Sequence, residues 1–162
     1  MASGGQLQGD CLLGVDPGSR RVGLAISGPL GLVQPVGFVE AQPRAEKVER
    51  VRKLAAQRGC AGLVVGLPIN MDGSEGPAAR AARALGEELA RATGLPVDFY
   101  DERLTSRAAE RSLAAAGFKG RRGKARTDEV AAAMVLEGYL ARRRRAARQG
   151  TGHEEEGSPG RE

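Results

Sequence analysis

The chain has 162 residues with a net charge of +5; 41% are hydrophobic and 3% aromatic, so its core must be built from Leu, Val, Ile and Ala. That length suits one domain with a substantial core. No apolar run approaches the roughly 20 residues of a membrane helix. Two cysteines, Cys11 and Cys60, and one histidine, His153, leave no disulfide framework and no His/Cys metal spacing.

Residues 1–10 are polar, lack the basic start and apolar stretch of a secretory signal, and are expected to be disordered; the sparse cysteines make a reducing cytoplasm the expected compartment. Residues 11–16 and 21–27 read as strands joined by a Pro-Gly turn, and 33–40 as a third strand of the same meander. Val48, Val51, Leu54 and Ala55 recur at helical spacing within 43–58. "AGLVVGLP", 61–68, is a continuous apolar run, the pattern of a strand covered on both faces. The loop "INMDGSEG", 69–76, leads to a helix over 77–93 with Ala78, Ala81, Ala82, Leu85 and Leu89 turned inward. In that loop Ser74 and Glu75 suit helix capping, while Asp72 stays open between a turn residue and a site residue. A strand over 95–104, a helix over 105–116, a basic Gly-rich loop over 117–126 and a helix over 128–145 capped by Thr127 complete the pattern. Residues 146–162 form a polar tail, also expected to be disordered. The order predicts a single α/β domain over 11–145: a mixed five-stranded sheet flanked by helices, its first strand beside two later parallel strands.

Charge is unevenly placed. Residues 1–102 carry 11 basic against 12 acidic side chains, whereas 103–148 carry 13 against 4. Such a basic half suits a polyanionic partner, nucleic acid foremost, or simply solvated helix faces in an Arg-rich chain. The tract Arg142–Arg145 could grip a substrate or complement the end of its helix.

Ligands of open α/β sheets sit beyond the carboxyl ends of the parallel strands. Asp16 ends the first strand, Glu102 ends "VDFYDE", and Asp128 heads the apolar stripe Ala131, Ala132, Val135 and Tyr139. Singly, each has an ordinary reading: a turn acid, a solvated strand end, a first-turn charge on a helix dipole. Together they make a cluster that repels itself unless a cation joins it, and hard oxygen donors without His or Cys select Mg²⁺ or Mn²⁺. Two such ions beside a basic surface suit phosphodiester hydrolysis. Alternation sends Asp101 and Glu102 to opposite faces, and spacing alone does not choose between them.

The segments "GVDPGSRRVGLAIS", "VVGLPINMDGSEG", "YDERLTS" and "KARTDEVAAAMVLEGYL" resemble, in order and spacing, the motifs of the YqgF (RuvX-like) family across residues 11–141. The family comprises bacterial Holliday junction resolvases, now often described as pre-16S rRNA processing nucleases. The resemblance implies an RNase H-like fold, a divalent-metal-dependent nuclease, and catalytic and metal-binding roles for Asp16, Glu102 and Asp128. It selects Glu102 over Asp101. It also implies that Arg21, Arg103, Thr105 and Lys124 contact nucleic acid, the three cations through backbone phosphates that carry no sequence information. Pro17 stands where many members have an aromatic residue, which removes a stacking surface.

Either an RNA precursor or branched DNA fits as substrate, and either a monomer or a homodimer fits as assembly. "DPGSRRVGLA" also resembles the phosphate loop of sugar-kinase and actin-like ATPases, which need a second such domain. A non-catalytic nucleic-acid-binding assembly factor would use the basic half but leave the three acids unexplained.

Overall fold

The computed structural model describes residues 11–105 and 124–150, with the side chains of 124–127 outside that description. The predicted helix over 105–116 and loop over 117–126 thus lie almost wholly outside the described residues, as do residues 1–10 and 151–162.

Five strands form one sheet: β1 (Leu12–Pro17), β2 (Arg21–Ser27), β3 (Val33–Glu40), β4 (Gly62–Leu67) and β5 (Val97–Asp101). Their order is β3-β2-β1-β4-β5. The tight turn after Pro17, closed by the Gly18 amide donating to the Arg21 carbonyl at 3.0 Å, makes β1 and β2 antiparallel. A helical crossover returns β4 parallel to β1, and a second places β5 parallel to β4. The expectation that β1 neighbours both later strands is therefore corrected. It touches β4 alone, because β2 already occupies its other side and β5 adds at the free edge.

Helices α1 (Arg44–Gln57) and α2 (Pro77–Thr93) cover one face, and α3 (Lys124–Gly150) covers the other. The α1/α2 face buries Leu13, Val15, Val22, Leu24, Leu63 and Val65 from the sheet. The α3 face buries Leu12, Ala25, Val64 and Tyr100 against Ala132, Leu136 and Tyr139. Side chains alternate along each strand, so β1 and β4 feed both cores and need apolar residues throughout.

Several expectations shift in detail. In α2 the buried residues are Ala79, Ala82, Leu85, Gly86 and Leu89, while Ala78 and Ala81 face solvent. Four alanines in six positions give the stripe no direction, and the leucines set it. This helix ends at Gly94, whose φ of +69° stops the turn while its amide reaches the Ala90 carbonyl. β5 ends at Asp101 instead of running to 104, and residues Glu102–Leu104 coil into a 3-10 turn. α3 opens at Lys124, which places Thr127 within its first turns and not at the cap. At its other end the helix runs through Gly150, beyond the expected end at 145. No helix among the described residues is long and apolar enough to cross a membrane.

Candidate active site

Asp16 and Glu102 meet at the carboxyl ends of β1 and β5, lining one cleft of about 200 Å³ with Thr105, Ala131, Met134 and Val135. The local chain direction explains why Glu102 is here and Asp101 is not. The Asp101 carboxylate accepts from the Arg103 backbone amide at 2.9 Å, which caps the 3-10 turn, and from the Arg103 guanidinium at 2.8–3.1 Å. That turn swings Glu102 onto the α3 face. Thr105 closes it, its hydroxyl donating to the Glu102 carbonyl at 2.5 Å.

Two strand glycines clear the floor. A Cβ at Gly66 of β4 would lie 2.5 Å from Glu102 Oε1 and 3.1 Å from Val135. A Cβ at Gly23 of β2 would be driven into the Asp128 carbonyl. Gly23 is the register partner of Asp16, so the start of α3 rests directly over the strand pair that carries that acid. Glycine within a strand marks such close approach. In the sequence this signal is the lone glycine inside each apolar strand run, "RVGLA" and "VVGLP".

Glu102 Oε1 is buried and has no hydrogen-bond partner. Burial first, then hydrogen bonding with Asp16 and its charge, pushes the Glu102 carboxyl up to about 9. A carboxyl so raised takes up a proton on folding below that value. Its contribution to stability is complete below the ordinary carboxylate range and is lost as pH rises towards 9. In EDTA the melting temperature is expected to fall between pH 5 and pH 9, and Asp16→Asn is expected to flatten that slope; thermal melts across the range check both.

An orphaned buried oxygen facing a second carboxylate, with only oxygen donors present, fits a hard divalent cation. Asp128 is half-buried at the same edge, but it does not line the cleft. Among the described residues no three acidic, imidazole or thiol groups close around one point. The structure thus brings together two of the three expected acids and sets the backbone of the third beside them.

The expected phosphate contacts are placed unequally. Arg21 lies at the start of β2, stacked 4.5 Å over the Phe38 ring and 3.8 Å from the Glu40 carboxylate opposite. Arg103 is committed to Asp101, and its Nη1 also donates to the Asn70 carbonyl at 3.3 Å, tying the 69–76 loop to the turn that carries Glu102. Lys124 opens α3, and its side chain lies outside the described ones. Asp72, open on sequence, braces its own loop by accepting from the Ser74 amide at 2.9 Å and from the Ser74 hydroxyl. Glu75 does not cap α2 as expected; it pairs with Arg83 at 2.9–3.0 Å, and Gly76 stands at the cap. The Arg142–Arg145 tract begins about 20 Å along α3 from Asp128. There Arg142 stacks 5.3 Å from the Tyr100 ring centre.

Compared with known proteins, residues 10–142 match the RuvX family, described as "Holliday junction resolvase". The chain belongs to the RuvX family. A relative from Anaeromyxobacter sp. (strain Fw109-5), named "Putative pre-16S rRNA nuclease", is 44% identical over 129 residues, covering 79% of this chain and 94% of its own length. A relative of the same name from Limosilactobacillus fermentum is 46% identical over 133 residues, covering 80% and 92%. Among solved structures, T. thermophilus RuvC in complex with a Holliday junction substrate aligns with a TM-score of 0.55 at 17% identity, over 83% of this chain and 96% of that one. This RuvX-family chain has the RNase H-like fold and is a nuclease.

Proposed function

We propose that this RuvX-family chain is an endonuclease that processes the 5′ end of pre-16S rRNA in ribosome biogenesis in the cytoplasm, using Mg²⁺ or Mn²⁺ held by Asp16, Glu102 and Asp128. The observation that carries the site is the buried, unpartnered Glu102 Oε1 beside Asp16, at the strand ends where this fold class binds ligands. Divalent ions held by these acids would supply an activated water and would neutralise charge developing on the leaving oxygen. The chain's own part is positional. Asp101 and Thr105 fix the turn that aims Glu102 into the cleft, and Gly66 leaves room for its carboxylate. The start of α3, seated on Gly23, brings the Asp128 backbone to the Asp16 edge, where its carboxylate would complete the ligand set for the ions.

Arg21 and Lys124 are assigned to backbone phosphates on either side of the cut, where they add affinity without sequence preference. Arg103 holds the 69–76 loop against the Glu102 turn and offers its exposed edge to the same strand. In this reading one nuclease domain, begun at residue 11, carries the whole activity.

The relatives' names favour rRNA; the family description favours a four-way DNA junction. Symmetric resolution of a junction needs two active sites related by a two-fold axis, whereas precursor trimming needs one. Cleavage of a labelled pre-16S leader and of a four-way junction, measured beside the solution mass, separates them. The rRNA reading expects leader cleavage by a monomer. Paired symmetric nicks on the junction by a dimer, with the leader left intact, would replace it with the second reading.

A further inference from the structure

Far from the cleft, Cys11 Sγ and Cys60 Sγ lie 3.1 Å apart, although 49 positions separate them in the chain. Both are free thiols, Cys60 buried and Cys11 partly exposed. The approach is held by the fold. Cys11 immediately precedes β1, and Cys60 closes the turn between α1 and β4. The Ala61 amide donates to the Cys11 carbonyl at 2.8 Å, which fixes the two segments side by side. The Cys60 amide is itself anchored, donating to the Ala55 carbonyl at 3.0 Å.

We propose that Cys11 and Cys60 form a reversible redox modification site, in which a hydroperoxide converts the thiol pair into an intramolecular disulfide. The chemistry assigns the two sulfurs different parts. Burial and the neighbouring Cys11 push the Cys60 thiol up to about 12, so it stays protonated and meets oxidant poorly. Cys11, at the surface, attacks the peroxide as thiolate. Its sulfur takes one oxygen, the O–O bond breaks, and water or alcohol leaves once protonated, giving a sulfenic acid. Cys60 then attacks that sulfur, the S–O bond breaks, and the Cys60 proton leaves with the hydroxyl as water. Both sulfurs are oxidised by one electron each and the peroxide is reduced by two. Contact between the sulfurs before reaction offsets the weak nucleophilicity of Cys60.

The bridge would tie the start of β1 to the α1–β4 turn and close a long loop of the unfolded chain, which raises stability. Asp16 lies near the other end of β1, about 17 Å away along the strand, so cleavage should be unaffected. This separates the proposal from the nuclease reading.

The test treats the full chain with hydrogen peroxide and reads intact mass, free thiols, melting temperature and cleavage. The expected result is a monomer lighter by two hydrogens, thiols falling from two to none, and a melting temperature raised by about 5 °C. Dithiothreitol should reverse these changes, and cleavage should stay within about twofold throughout. Cys11→Ser should abolish the peroxide-driven change in melting temperature while retaining the fold. Persistent thiols, oxygen added to Cys11 without bridging, or disulfide-linked dimers would overturn the proposal.

Discussion

Glu102→Gln is expected to make the chain more heat-stable in EDTA at pH 8 and, in the same protein, to lower cleavage on the order of 10³-fold. The loss has the size seen when one group that manages transition-state charge is removed. The two effects share one cause. Glu102 is raised to about 9 by burial and by Asp16, so at pH 8 the folded chain either holds a proton the unfolded chain has released or bears two repelling carboxylates. An amide of the same shape carries neither cost. It also supplies a weaker donor to a divalent ion, so the rise in melting temperature on adding Mn²⁺ should shrink with it. Thermal melts with EDTA and with Mn²⁺, together with single-turnover cleavage, read both arms. A variant that loses stability in EDTA while keeping activity would assign Glu102 a packing role.

Gly23→Ala is the second large effect. Its new Cβ meets the backbone carbonyl of Asp128, which has no flexible end to move aside, so the start of α3 must lift off β2. Overpacking of this kind costs about 1–3 kcal/mol, and for a chain of this size it lowers the melting temperature by roughly 2–4 °C per kcal/mol. Because the helix start carries Asp128, cleavage should fall further than stability predicts, with kcat reduced more than substrate affinity. Gly28→Ala is the control. A Cβ there meets nothing within 4 Å and its φ of −116° is ordinary, so the change should stay within about 0.5 kcal/mol. Equal losses from both variants would count against seating of the helix on Gly23.

The architecture was readable in the sequence because its signals are local. Continuous apolar runs mark the strands covered on both faces, and a Pro-Gly turn marks the first hairpin. The neighbour of β5 was not readable, since nothing within "VDFYD" says which strand it joins; the edge position follows from β2 having taken one side of β1. The acids were found by their place at strand ends, yet the choice of Glu102 over Asp101 rested on resemblance. The structure supplies the physical reason: Asp101 is consumed as cap and partner of Arg103, which turns the next residue inward. Arg103 shows the converse limit. Its charge and position suit a phosphate, but its guanidinium is bound to a carboxylate only two residues away, which no charge count reveals. Alanine-rich α2 misled in another way, because small residues fit either face and only the leucines orient the helix.

The most direct test of the account compares the wild-type chain with Asp16→Asn on the labelled pre-16S leader and on the four-way junction, each in Mg²⁺, Mn²⁺ and EDTA, with binding followed separately. Both proteins are expected to bind nucleic acid, and only the wild type to cut, and then only with a divalent ion. Equal cutting by the two proteins, or binding by both with no cutting by either, would contradict that expectation.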